Sequence, residues 1–339
     1  MTAKIEEAKY LFTEFSGVEN FTILELPQSG SARRNFVVTA GEKYIVTHNE
    51  DTRENAAFLY FSEIFEVLQL NTPKIFHISA DKKWYIQEFL GENTLSQIIE
   101  KEGLSQRVQS LIKEVLQKLF ELQTKTKNKV DYSRTFEYEA YNHLPILHDL
   151  NYFKFLFVDI LGVSYQKSAL LKEFNKIAEI LQDIPYKVLM IRDFQSRNII
   201  VNERNEVGFI DYQSAMLGPA MYDVISLLYQ AKANFPEDFR EEMLNFYINL
   251  FDDNETKLQL KKSVKPIRLI RNLQVLGAYG LRGLVERKEH FLKSIPQGIK
   301  NLTETTNSWE EIRDFPELKS LIEKINTEEI LTKINNIIN

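Results

Sequence analysis

Three polar residues have the types and spacing that phosphoryl transfer requires. Asp193 and Asn198 stand in the segment Arg192-Asp193-Phe194-Gln195-Ser196-Arg197-Asn198, which runs into apolar Ile199-Ile200-Val201. Asp211 ends a second apolar run, Val207 to Ile210, and is followed by Tyr212 and Gln213. A transferred phosphoryl group passes through a loose transition state, so the protein's task is to position reactants and neutralise charge. That takes a carboxylate at the acceptor hydroxyl, to orient it and receive its proton, and oxygen ligands for Mg²⁺. Asp193 suits the first task, and Asn198 and Asp211 suit the second. Each has an ordinary reading when taken singly: Asp-x-x-x-x-Asn is common in solvated loops, and an Asp after a strand is often a cap.

The pair of runs must form a short hairpin for the three to meet. Ile199 to Val201 and Val207 to Ile210 are apolar, and Asn202-Glu203-Arg204-Asn205-Glu206 between them is a polar turn. The rest of the chain changes texture near residue 90. Before it, a helix is expected over Lys4 to Phe15, strands over Phe21–Leu26, Phe36–Thr39, Tyr44–His48, Lys74–Ser79 and Trp84–Phe89, and a helix over Thr52–Leu68 with Phe58, Phe61, Phe65 and Leu68 on one face. After it, helical spacing dominates, over Thr94–Lys101, Ser105–Thr124, His148–Leu161, Ser168–Asp183, Tyr222–Gln230, Pro236–Leu250, Lys257–Leu284 and Trp309–Ile338. The expected class is α+β. A small antiparallel lobe with one main helix is expected over residues 1–90 and a helical lobe over 91–339.

Bulk composition narrows the setting. The 339 residues are 44% apolar and 27% charged, with a formal net charge of −6 and no cysteine. No basic field exists to recruit nucleic acid or an anionic membrane, and thiolate and disulfide chemistry are excluded. The first residues are charged throughout, and no stretch reaches the roughly 18 apolar residues of a membrane span. A cytoplasmic protein acting on neither membrane nor nucleic acid is the expectation.

The order DFQSRN, apolar strand, turn, FIDYQ resembles the catalytic loop and metal-binding segment of the aminoglycoside phosphotransferase and choline kinase superfamily, which has the protein-kinase-like fold. Gly218-Pro219-Ala220-Met221-Tyr222-Asp223-Val224-Ile225-Ser226-Leu227-Leu228 then makes the chain more similar to bacterial kinases of N-acetylmuramate and N-acetylglucosamine. The resemblance is strong over Arg192 to Leu228 and looser elsewhere. It implies ATP as phosphoryl donor, Asp193 as catalytic residue, Asn198 and Asp211 as Mg²⁺ ligands, and a two-lobed fold. It also implies that adenine pairs with backbone groups near Glu88 and Leu90, in the hinge-like Gln87-Glu88-Phe89-Leu90-Gly91.

Departures from the pattern are informative. Ile191 stands where many members carry His. Thr47 stands where kinases of this fold place a phosphate-binding Lys on the third strand, and Glu54 is the candidate for the helix acid that such a Lys would pair. The loop Ser29-Gly30-Ser31-Ala32-Arg33-Arg34 is expected over the phosphates, with Arg33 or Arg34 replacing the missing cation. Arg197 either reaches phosphate through its guanidinium fork or forms a surface ion pair.

On the acceptor side the candidates are Asp149, Arg192 and Gln213. Asp149 is alternatively an N-cap, and Arg192 a structural residue of the loop. The mixed segment Phe136 to Leu150 favours a sugar over a polycationic aminoglycoside. The basic run from Lys261 to Arg271 reads as a solvated helix face. Two alternatives to a sugar kinase stay open: a nucleotide-binding regulatory module, favoured by Thr47, and a kinase for choline or an aminoglycoside.

Overall fold

Alternating apolar and polar residues, Gly-containing turns and capped helices divide the chain as follows in a computed structural model describing residues 3–27 and 32–338. Ser29, Gly30 and Ser31, expected over the phosphates, lie outside the described residues. Helix α1 (Ala3–Ser16) precedes strands β1 (Thr22–Glu25), β2 (Arg34–Ala40) and β3 (Glu42–His48), and α2 (Thr52–Val67) leads to β4 (Ile75–Ile78) and β5 (Trp84–Glu88). Next come β6 (Asn93–Thr94), α3 (Leu95–Glu102), α4 (Gln106–Lys125) and α5 (His143–Phe153), which continues through a π-helical stretch, Lys154–Val158, into α6 (Asp159–Leu161). After α7 (Lys167–Gln182) and β7 (Lys187–Met190) stand β8 (Ile199–Val201), β9 (Val207–Phe209) and β10 (Met216–Pro219). The remainder is helical: α8 (Met221–Leu228), α9 (Glu237–Asn249), α10 (Asn254–Tyr279), a second π-helical stretch at Gly280–Val285, α11 (Glu289–Leu292), α12 (Ile295–Ser308), α13 (Pro316–Ile325) and α14 (Glu328–Ile338). Two compact units result, Met1–Glu139 with Ile191–Met216, and Ala140–Met190 with Leu217–Asn339.

The first unit is built on an antiparallel sheet in the order β1-β2-β3-β5-β4. Side chains alternate across it, so Phe36, Val38, Val46, Trp84 and Ile86 face α1 and pack on its Ala8, Leu11 and Phe12. Tyr85 points to the other face, where Phe58 of α2 stacks on it at 5.1 Å. Phe58, Phe61 and Phe65 are buried along α2 as their spacing predicts, and Leu68 caps its C-terminus. Asp51 starts α2 by accepting the Arg53 and Glu54 N–H groups at 3.0 and 3.4 Å.

The short hairpin also belongs to this unit. β8 and β9 pair antiparallel, Ile199 against Phe209, and β6 extends them to three strands. Asn202 shapes the turn, its Oδ1 accepting the N–H groups of Arg204 and Glu206 at 2.9 Å each. Gly91 and Gly208 permit close approach beside this sheet. A Cβ on Gly208 would fall 2.7 Å from the Leu90 side chain.

In the second unit α10 packs against α5, α8 and α12. Gly280 lets the second π-helical stretch meet the first, since a Cβ there would collide with the Leu156 carbonyl oxygen. The basic run is not a solvated face throughout. Arg268 and Arg271 are buried, their guanidiniums over the rings of Tyr229 and Tyr222 at 4.2 and 4.8 Å. Arg268 pairs with Glu237, and Arg271 donates to the Tyr222 hydroxyl. The apolar stripe that carries this helix through the unit takes the two arginines inside with it.

Several expected boundaries are corrected. The helix expected from His148 begins at His143, capped by Asn142, so Asp149 lies inside it and is not an N-cap. The single helix expected over Trp309–Ile338 is a 3₁₀ turn and two helices, broken where Pro316 starts α13 and before α14. Helix α12 and strands β7 and β10 lie outside the elements that the sequence pattern predicts. Among the described residues no helix is long and apolar enough to cross a membrane.

Candidate active site

The loop before β8 is held from within. The Asp193 carbonyl accepts the Gln195 N–H at 3.0 Å and the Asn198 amide at 2.9 Å. Ser196–Asn198 forms a 3₁₀ turn, and buried Phe194 meets Phe209 edge to face, with ring centres 5.0 Å apart. This leaves the Asp193 carboxylate partly exposed, with Arg197 donating to its Oδ2 at 2.9 Å. Arg197 is half exposed, so the pair is worth little to stability. Its reach to Asp193 settles where the side chain lies in this state.

Asp211 follows β9 with φ +66, in the left-handed region that few non-glycine residues adopt. Its neighbour Tyr212 secures that conformation. Tyr212 is fully buried, stacks on Phe58 at 4.7 Å, meets Phe65 edge-on at 5.0 Å, and shares a 2.7 Å hydrogen bond with the Ser62 hydroxyl. Burial pushes the Tyr212 phenol well above its ordinary pKa. Helix α2 thus fixes the segment that presents the Asp211 carboxylate. Three side chains donate to that carboxylate: Arg33 to Oδ1 at 2.5 Å, Gln213 to Oδ1 at 3.1 Å, and Asn198 to Oδ2 at 3.2 Å. Gln213, expected to face an acceptor, is buried against Asp211 instead.

The missing strand lysine has a structural counterpart. Thr47 is 1% exposed and is hydrogen-bonded on both sides, donating to Asn35 at 2.8 Å and accepting from Gln87 at 3.0 Å. The nearest cation to Asp211 comes from the mouth of β2. Arg33 bridges Asp211 at 2.5 Å and Glu54 at 3.4 Å. Burial opposes its charge, but Asp211, the Tyr85 hydroxyl and Glu54 outweigh that and hold the guanidinium pKa above its ordinary value. Glu54 is itself fixed by the Asn49 amide at 2.6 Å. Arg34, the other arginine considered, points away and forms a two-pronged pair with Glu25 at 2.7 and 2.9 Å. Asn49 and Tyr85 were not singled out in the sequence. Neither belongs to a motif: the strand register that pairs Thr47 with Tyr85 brings the tyrosine here, and Asn49 stands five residues before Glu54 in the turn into α2.

The other candidates are more dispersed. The Glu88 N–H donates to the Lys74 carbonyl at 2.9 Å and is not available to a base. Leu90 is partly buried against Gly208. Arg192 has φ +74 and lies with Nη1 4.0 Å from the Met216 sulfur. Asp149 belongs to the second unit, buried, accepting the Tyr141 hydroxyl at 2.8 Å.

The donor set fits Mg²⁺. The Asn198 NH₂ serves two acceptors, which orients the amide and leaves Oδ1 as the atom available to a cation. One carboxylate and one amide oxygen are the hard ligands that Mg²⁺ takes before completing its shell with phosphate and water. Around them stand three carboxylates, Glu54, Asp193 and Asp211, against two guanidiniums, Arg33 and Arg197.

A model of the phosphotransferase enzyme family matches residues 22–259. An N-acetylmuramate/N-acetylglucosamine kinase of Neisseria meningitidis serogroup B is 24% identical over 295 residues, covering 83% of each chain. Among solved structures, choline kinase LicA of Streptococcus pneumoniae superposes with TM-score 0.59 at 13% identity, over 89% of this chain and 100% of that one. The ethanolamine kinase of Plasmodium vivax gives TM-score 0.60 at 15% identity, over 92% and 90%. An ADP-bound aminoglycoside phosphotransferase, APH(2'')-Ib, gives 0.56 at 16%, over 90% and 99%. These likenesses establish a protein-kinase-like α+β fold.

Proposed function

This chain belongs to the phosphotransferase enzyme family and is a small-molecule kinase, and on that premise we propose that it transfers the γ-phosphoryl group of ATP to a hydroxyl of an amino sugar. The observation that carries the reading is the Asn198 amide, which joins the loop of Asp193 to the carboxylate of Asp211. Asp193 orients the acceptor hydroxyl and takes its proton as the acceptor oxygen bonds to the γ-phosphorus and ADP leaves. Asn198 and Asp211 hold Mg²⁺, which when bound neutralises charge on the phosphates. Gln213 and Asn198 keep the Asp211 carboxylate oriented. Backbone groups near Glu88 and Leu90 meet the adenine, within a nucleotide lobe over residues 1–90. Residues 91–339 carry the catalytic loop and acceptor groups, for which Arg192 is a candidate.

The amino-sugar acceptor is supported by the similarity to the Neisseria kinase and by the Gly218 to Leu228 segment. The test is incubation with Mg²⁺-ATP and a panel of N-acetylated sugars, choline, ethanolamine and aminoglycosides. Product with N-acetylmuramate or N-acetylglucosamine is expected. Turnover of choline or an aminoglycoside alone would reject the sugar while keeping the kinase. Thr47 favours a second reading, a nucleotide-binding regulatory module. That module would give a thermal shift with ATP and no phosphorylated product from any acceptor.

A further inference from the structure

We infer that Arg33 is an exchangeable counter-ion, which holds Asp211 to Glu54 while the site lacks nucleotide and moves to the polyphosphate when nucleotide binds, freeing Asp211 for the metal. This rests on the phosphotransferase reading above and adds an order of events to it.

The Asp211 carboxylate carries three donors, Arg33 and Gln213 on Oδ1 and Asn198 on Oδ2, so a divalent cation at Oδ1 has to displace one of the two there. Asn198 also clamps the Asp193 carbonyl, and Gln213 is buried. Arg33 is the one cation of the three, and so the one that a metal repels and an incoming phosphate attracts. Its guanidinium has capacity for the new partner. Both carboxylates are met through Nη2, and Nε is buried with no hydrogen-bond partner among the described residues. A guanidinium fork has five donors suited to phosphate oxygens. Glu54 can stay as the pivot because Asn49 fixes it independently at the start of α2. The neighbouring Arg34 is committed to Glu25 and does not compete for the role.

Exchange makes the two ligands help each other, since nucleotide removes the cation that guards Asp211 and metal removes the carboxylate that holds Arg33. Such coupling is reciprocal. A fixed structural staple predicts something different: removing it would weaken both ligands together with the fold.

The experiment uses the full chain as wild type, Arg33→Met and Arg33→Lys. Mn²⁺ binding without nucleotide is followed by electron paramagnetic resonance, and ADP binding with and without Mn²⁺ by calorimetry. In Arg33→Met, affinity for Mn²⁺ alone is expected to rise about tenfold, affinity for metal-free ADP to fall about tenfold, and the coupling between them to shrink. Unchanged or weaker Mn²⁺ binding, or unchanged ADP binding, would overturn the exchange while leaving the kinase reading intact. Should Arg33→Met fail to fold, Arg33→Lys decides, because its single ammonium bridges the two carboxylates less well. Tighter Mn²⁺ binding with reduced coupling supports exchange, and wild-type values refute it. A wild-type chain that binds neither ADP nor ATP overturns the phosphotransferase reading, and this inference with it.

Discussion

Asn198 and Asp211 are joined by a 3.2 Å hydrogen bond from an amide group that also binds the Asp193 carbonyl at 2.9 Å. One buried side chain therefore sets the spacing of the other two members of the site. Asn198→Ala leaves two acceptors without their donor and should lower stability by about 1–3 kcal/mol. Turnover should fall further than stability explains, with weaker Mn²⁺ binding. Urea denaturation beside steady-state kinetics separates the two effects, and a variant that loses only stability would argue against a metal-binding role.

Asp193 faces solvent in part and is paired with an arginine that is half exposed. Asp193→Asn keeps the shape and removes the proton acceptor. Turnover should fall about 10²- to 10⁴-fold, while ATP binding measured by calorimetry stays close to wild type. A variant with full turnover would remove Asp193 from the chemistry.

Gly280 permits a backbone contact that any side chain would block, with its φ in the ordinary helical range. Gly280→Ala should therefore destabilise by about 1–3 kcal/mol or more through steric displacement alone. Gly41, with positive φ but nothing near its Cβ position, provides a contrast. There Gly41→Ala strains the backbone and leaves packing untouched. Equal stability of Gly280→Ala and wild type in thermal melts would show that the two π-helical stretches can part without cost.

Stability should be flat between about pH 7.5 and pH 9.5 and fall on both sides, first on the acid side because burial and Lys4 hold the His48 imidazole below its ordinary pKa, so the unfolded chain takes up that proton first. Asp51 and Asp253 cap α2 and α10, and hydrogen bonds from Arg53 and Thr256 hold their pKa values below normal. Their contribution is present above the unfolded carboxyl pKa of about 4 and is lost as pH falls through the folded value. Burial raises the phenols of Tyr85, Tyr212 and Tyr247. The unfolded chain then releases protons above about pH 10 that the folded chain retains, which favours unfolding. Urea midpoints across the range test this, and a midpoint rising from pH 10 to 11 would contradict it.

The trio at the centre was legible because a strand, a turn and a strand lie within twenty residues, so local sequence dictates their meeting. Arg33 and Arg34 were not separable in the same way. Adjacent residues point to opposite faces of a strand, and the choice depends on the register that sets Arg34 opposite His48. Helix α12 escaped notice because its buried face is partly polar. Asn301, Thr305 and Thr306 are buried there, and Asn272 donates to the Thr305 hydroxyl at 2.8 Å. That pairing satisfies the polar groups but erases the apolar period that would announce a helix. Asp149 looked like a cap because its helix was expected to begin five residues late. Asn142, the true cap, sits in a stretch whose apolar positions are interrupted by Pro145 and His148.

Thr47 has a consequence for how such a site can change over generations. Its hydroxyl is locked between Asn35 and Gln87, and the Tyr85 hydroxyl lies against both Thr47 and Arg33. A lysine at 47 would bring a second cation into a place already occupied by a guanidinium, with too little solvent to screen the repulsion. The two placements of the charge exclude each other. Moving the charge from one place to the other therefore takes two coupled substitutions, removal of Arg33 together with Thr47→Lys.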